Sequence, residues 1–151
     1  MIHLTVPPAI EREIKAKAKA AFPREWFCYC LGTVAGDSVH IDELWVPENQ
    51  ERYCTEATVN VQPWWMAEAA EAAKESGLML VADAHSHGYS YREGRGVVID
   101  RAQSEQDIER AGRLFVAGIC TVQQVMRAGR KTLRASLKWW GPNVPVQTKG
   151  V

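Results

Sequence analysis

Two histidines separated by one residue, His85 and His87, follow an apolar stretch that ends at Ala84. On an extended chain alternate side chains point the same way, so both imidazoles would lie on one face and reach the same metal ion. A catalytic zinc site takes three protein ligands and keeps one position for water. Downstream, Ser104 and Asp107 are three residues apart and would share one face of a helix. Asp107 is therefore the candidate third ligand, with Ser104 beside it.

Each of these residues also has an ordinary structural interpretation. A single histidine after a strand is often structural, but two of the chain's 4 histidines at this spacing favour a metal site. Ser104 suits the N-cap of a short helix, and Asp107 suits a solvated helix face. Asp83 would share the face of the two histidines, and we interpret it as a polar partner deeper in the strand, not as a ligand.

The combined motifs resemble the JAMM/MPN+ metalloprotease family, whose domain is also called JAB. The resemblance depends on His-x-His at 85–87 followed by Ser-x-x-Asp at 104–107. Residues 23–32 (PREWFCYCLG) are similar to the end of the family's first helix and its first strand, with Glu25 where the family has a glutamate. The match covers roughly residues 5–140, and its three motifs occur in the family's order.

The resemblance implies one zinc ion per chain and a role for five residues. His85, His87 and Asp107 would bind the zinc. Glu25 would take a proton from the attacking water and return it to the leaving amine. Ser104 would donate a hydrogen bond to the oxyanion that forms in the reaction.

The chain departs from the family pattern in two places. Gly88 stands where the family usually has proline, and 20 positions rather than a shorter spacing separate the second histidine from Asp107. Residues 88–103 are therefore interpreted as an insertion that forms a loop beside the metal. Asp100 is the alternative third ligand, although Val97 stands where the motif requires serine.

The family cleaves isopeptide or peptide bonds after the C-terminal Gly-Gly of ubiquitin-like proteins. The resemblance thus implies a zinc-dependent isopeptidase that deconjugates or processes a ubiquitin-like protein. Small bacterial members act beside activating-like and conjugating-like enzymes, including in anti-phage defence, so these are the expected partners. Two alternatives stay open: a metallohydrolase acting on a small peptide or cysteine conjugate, and a non-catalytic MPN-type interaction module with docking patches at Trp64-Trp65 and Trp139-Trp140.

Composition and charge limit the partners further. The 151 residues carry 18 basic and 18 acidic side chains, a balance that disfavours nucleic acid and anionic membranes as partners. No apolar run approaches the roughly 20 residues of a membrane span, and the N-terminal residues predict no signal peptide, so we expect a cytoplasmic protein. The 4 cysteines are too few for a disulfide scaffold. Cys28 and Cys30 are interpreted as small buried residues, with a thiolate zinc site as the alternative.

Hydrophobic periodicity and turn residues predict a single domain over residues 1–151 of the α/β class, of the α+β type. The resemblance adds an MPN/JAB-like central mixed sheet flanked by helices, with a core over about residues 5–140 and a C-terminal tail over 141–151. Helices are predicted over residues 9–22, 63–76 and 104–112. Strands are predicted over residues 26–34, 39–46, 58–61, 78–84, 114–125 and 132–140, the first two forming a hairpin.

Overall fold

A computed structural model describes residues 1–91, 114–142 and 144–149 of the chain. Within these ranges one sheet of seven strands carries two α-helices. The strands are β1 (Ile2–Thr5), β2 (Phe27–Ala35), β3 (Ser38–Trp45), β4 (Met79–Tyr89), β5 (Val116–Arg127), β6 (Arg130–Trp140) and β7 (Val146–Lys149). The helices are α1 (Pro8–Ala21) and α2 (Pro63–Glu75), and a 3-10 turn spans Gln50–Arg52.

The strand order across the sheet is β6-β5-β4-β2-β3-β1-β7. Strand β4 runs antiparallel to β2 and parallel to β5, so the sheet is mixed. Strands β2 and β3 form the predicted antiparallel hairpin. These findings confirm a mixed α/β class with a central sheet and helices packed on it, and they place β6 and β7 at the two edges.

The two faces of the sheet bury different side chains. Helix α1 packs on the face where Cys28 and Cys30 are buried. Helix α2 packs on the other face, where its Trp65 meets Phe27 and Tyr29 of β2. Alternate residues of a strand point to opposite faces, so β2 contributes thiols to one side and aromatic rings to the other.

All four cysteines of the chain are buried and free. Burial raises the pKa of the Cys28 thiol well above its ordinary value, and the neighbouring thiol of Cys30 adds to the shift. Both side chains belong to the core cluster that includes residues of α1, and a buried protonated thiol packs there as a small apolar group. The structure therefore favours the interpretation of Cys28 and Cys30 as packing residues.

The structure adds two strands and lengthens a third. Strands β1 and β7 pair in parallel, so the expectation of a tail is wrong for residues 146–149. Strand β4 continues through Tyr89, so both histidines lie inside the strand and the predicted loop does not begin at Gly88. Residues 58–61 do not form a strand and contribute one bridge, between Cys54 and Val59.

The remaining predicted helices and strands within the described ranges are confirmed, with bounds shifted by at most two residues. The helix predicted over residues 104–112 lies outside the described residues, as do residues 92–103 of the predicted insertion. In the described part of the chain, no helix has the length and apolar character needed to span a membrane.

Gly32 lies at the point where the β2–β3 register shifts. A Cβ atom at this position would overlap the carbonyl group of His40, with only 2.8 Å to the carbonyl carbon. Because that carbonyl belongs to the backbone of a paired strand, we expect Gly32→Ala to lower the free energy of unfolding by about 3 kcal/mol.

Urea denaturation measures this change. The matched control is Thr33→Ala, whose side chain is exposed on the same strand and whose loss should cost less than about 1 kcal/mol. Equal effects of the two substitutions would show that the backbone of the hairpin shifts enough to accommodate a Cβ atom at position 32.

Candidate metal centre

His85 and His87 lie on one face of β4. This is the face of Phe27, the register partner of His85, whose ring stacks on Trp65 of α2. Their Nε2 atoms are 3.0 Å apart, and their ring centroids are 4.9 Å apart at an interplanar angle of 58°. His85 is buried and His87 is partly buried. The predicted convergence of the two imidazoles is therefore observed.

The separation of the two Nε2 atoms suits a shared metal ion. Zinc binds histidine nitrogen at about 2.0–2.1 Å, so two such nitrogens on one ion are at most about 4 Å apart. The 3.0 Å distance lies inside this limit. In the protein without a metal, one neutral ring can donate to the other across the same gap.

Glu25 lies beside this pair, although 60 residues separate it from His85. Its Oε1 atom is 4.0 Å from Nε2 of His87, and its side chain is buried. That distance is longer than a direct hydrogen bond, and it places the carboxylate beside the imidazole. The structure thus brings together three of the five residues that the sequence singles out.

The backbone around Glu25 is held by the strand that carries the histidines. The Trp26 N–H donates to Oγ of Ser86 at 2.7 Å, and the Ser86 N–H donates to the Trp26 carbonyl at 2.9 Å. The Glu25 N–H donates to the carbonyl of Thr55 at 2.8 Å. Ser86, the middle residue of the His-x-His motif, therefore positions the segment that contains Glu25.

Gln50 holds the same segment through two hydrogen bonds to the backbone of Phe27, here called the Gln50 clamp. Sequence reasoning missed this role. Its Oε1 accepts from the Phe27 N–H at 2.8 Å, and its Nε2 donates to the Phe27 carbonyl at 2.8 Å. Asn49, with φ of 56°, is in the left-handed region that asparagine tolerates, and it begins the 3-10 turn that carries Gln50. A glutamine within a polar loop gives no sequence signal of burial, so only the structure reveals this role.

Cys54 contributes a further hydrogen bond to the side chain of Gln50. Burial, followed by the negative charge of Glu25, raises the pKa of the Cys54 thiol to about 11. The thiol stays protonated at neutral pH and donates to Oε1 of Gln50 at 3.7 Å.

The structure does not describe the other predicted site residues. Ser104, Asp107 and Asp100 are outside the described residues. Within residues 1–91, 114–142 and 144–149, no three His, Cys, Asp or Glu side chains are grouped so that they could hold a metal. Asp83 is buried in β4, two residues before His85 and on the same face, as the sequence predicts.

Comparisons with known proteins establish the fold. No protein-family model matches the chain, and no curated protein matches it in sequence. A solution structure of a protein from Desulfitobacterium hafniense is 15% identical with a TM-score of 0.55, over 100% of this chain and 94% of that one. A crystal structure of a JAB1/MPN domain protein from Archaeoglobus fulgidus is 15% identical with a TM-score of 0.51, over 98% and 97%. The fold of the chain is thus similar to that of a JAB1/MPN domain protein.

The Gln50 clamp gives a prediction about stability. Gln50→Ala leaves the Phe27 N–H and carbonyl without these buried partners, and each such loss costs about 1–3 kcal/mol. We therefore expect the free energy of unfolding to fall by about 2–4 kcal/mol, measured by urea denaturation.

Two further variants sharpen this test. Gln50→Glu should also destabilise the protein, because a carboxylate cannot donate to the Phe27 carbonyl. Glu51→Ala, at the exposed neighbouring position, should change the free energy of unfolding by less than about 0.5 kcal/mol. A Gln50→Ala protein as stable as Glu51→Ala would rule out the clamp.

Proposed function

We propose that this chain is a zinc-dependent isopeptidase that acts after the C-terminal tail of a ubiquitin-like protein. The observation that carries the proposal is the convergence of His85 and His87, with their Nε2 atoms 3.0 Å apart, beside the buried carboxylate of Glu25. The MPN-like fold and the sequence resemblance support the same activity.

The two histidines supply neutral nitrogen ligands of the kind that zinc prefers. Asp107 is the proposed third ligand, and Asp100 is its alternative. A bound zinc ion supplies Lewis acidity that polarises a carbonyl and lowers the pKa of water towards about 7. The zinc assignment thus rests on the type of these side chains and on the spacing of the two imidazoles.

Glu25 is the proposed general base and acid. Its buried carboxylate accepts a proton from the attacking water and then delivers it to the amine nitrogen that leaves. The hydrogen bonds of Trp26 and Phe27 hold the backbone that carries Glu25. Ser104 is the proposed donor to the oxyanion.

The proposal also names the substrate, the partner enzymes and the cellular location. The substrate is a ubiquitin-like protein, as a precursor or as a conjugate. Activating-like and conjugating-like enzymes of the same pathway are the proposed partners, and the cytoplasm is the proposed location. The non-catalytic interaction module remains the outcome to expect if the zinc test fails.

The zinc proposal predicts about one ion per chain in protein purified without chelator. His85→Ala and His87→Ala should each reduce the bound zinc to near zero, because two remaining protein ligands hold the ion too weakly to retain it through gel filtration. Elemental analysis after gel filtration measures the content.

The chain offers matched controls for this experiment. His3→Ala and His40→Ala change the only other histidines and should leave the zinc content at the wild-type level. Asp107→Asn and Asp100→Asn decide between the two candidate third ligands. If the wild-type protein takes up no zinc when the ion is added, the metal site is wrong.

Glu25→Gln should keep both the zinc and the fold but reduce the rate of cleavage by about 10²–10⁴-fold. The substrate for this test is a ubiquitin-like protein fused through its Gly-Gly terminus to a short peptide, with cleavage followed by mass spectrometry. Glu56→Gln, at an exposed position, is the control and should cleave at the wild-type rate. A near wild-type rate in Glu25→Gln would show that Glu25 is only structural, and loss of zinc would show that it is a ligand.

A further inference from the structure

A pocket of about 510 Å³ opens between the end of β3, the 3-10 turn and the first turns of α2. Its volume falls in the range of about 300–1,000 Å³ that is usual for ligand sites. None of its lining residues belongs to the candidate metal centre. The pocket is therefore a separate feature with its own chemistry.

Aromatic rings form the walls of this pocket. Tyr53 stands edge-on to Trp64, with ring centroids 6.0 Å apart at 79°, and edge-on to Trp65, with 5.7 Å and 83°. Trp45 also lines the pocket, and its ring centroid lies 6.2 Å from that of Tyr29. Trp64 is 48% exposed, so the packing fixes the rings while it leaves aromatic surface open to a ligand.

The charges at the pocket favour a cation. Glu48 and Glu68 line it together with Arg52, and all three side chains are exposed. Among the described residues, neither carboxylate has a cationic group within ion-pair distance, so each keeps its capacity to accept hydrogen bonds. The two carboxylates outnumber the one guanidinium, which leaves a net negative charge beside electron-rich ring faces.

The structure assigns this pocket to the side chain of an arginine presented by a peptide or protein ligand. A guanidinium group is flat enough to stack on an aromatic face, and its N–H groups form a fork that matches a carboxylate. The pocket offers both partners at once, on α2 through Trp64 and Glu68, which are one helical turn apart. An anionic ligand would meet the two carboxylates, and an apolar ligand would remove them from water without a partner.

The pocket also has a defined relation to the metal centre. Trp65, one of its walls, stacks on Phe27 at 5.7 Å and 24°. Phe27 is the register partner of His85 across β2 and β4. The pocket and the two histidines thus lie on the same face of the sheet, but arginine binding requires neither zinc nor cleavage.

The experiment is a titration with the peptide acetyl-Gly-Arg-Gly-amide in the presence of a chelator, followed by NMR signals of the tryptophan indole N–H groups. The arginine peptide should shift the Trp64 signal to saturation. The same peptide with citrulline, which keeps the shape but lacks the charge, should bind at least fivefold more weakly. A lysine peptide should fall between them, because its ammonium group cannot form the planar fork.

Substitutions in the pocket provide the second part of the test. Glu48→Gln and Glu68→Gln should each weaken binding of the arginine peptide by about two- to fivefold. Trp64→Leu should weaken it to the same extent, with binding followed through the indole signal of Trp45, which also lines the pocket. Glu71→Gln is the matched control, because this exposed residue is also on α2 but does not line the pocket. Circular dichroism checks that each variant is folded.

Three outcomes would overturn the assignment. These are equal affinity for the arginine and citrulline peptides, equal weakening by Glu68→Gln and Glu71→Gln, and no response of the Trp64 signal at any peptide concentration. Because the titration contains chelator and measures no cleavage, its failure leaves the isopeptidase proposal intact. Failure of the zinc test likewise leaves arginine binding in place.

Discussion

The paired hydrogen bonds between Ser86 and Trp26 are the contact on which the arrangement of the candidate site depends. They join the middle residue of the His-x-His motif to the residue that follows Glu25. A strand shifted by one position would turn every side chain to the other face. These bonds therefore fix both the register of β4 against β2 and the side of the sheet on which the imidazoles and the carboxylate meet.

Burial gives this contact its strength. Ser86 and Trp26 are both buried, as are Gln50 and Phe27, and hydrogen bonds removed from water are costly to leave unmade. The segment from Glu25 to Phe27 is thus held from two directions, by β4 and by the turn after β3. A catalytic group needs such support, because a displacement of about 1 Å can cost about a hundredfold in rate.

The sequence predicts most of the elements but little of what connects them. The first helix shows apolar periodicity, the second is rich in Ala and Glu, and the central strands are apolar runs, so both classes of element can be predicted locally. β1 and β7 have four residues each, too few for a periodic signal, and they form because each supplies hydrogen bonds to a neighbouring strand.

The residues of the candidate site likewise differ in how far the sequence predicts their positions. Two residues apart on a strand, His85 and His87 are predicted to converge by geometry alone. Glu25 is brought beside them by strand pairing, and only the family resemblance pointed to it in advance. Gln50 had no signal of either kind, because its clamp on Phe27 depends on a turn whose path the local sequence does not specify.

Among the described residues, β6 lies at one end of the strand order, and its charges bear on association between copies of the chain. This strand has 11 residues and carries four cations, Arg130, Lys131, Arg134 and Lys138, with no acidic side chain. If two copies paired along this edge, like charges would face one another across the new strand pair, which is destabilising. Cationic side chains are a common protection of edge strands, so the charges of β6 disfavour its pairing with a second sheet.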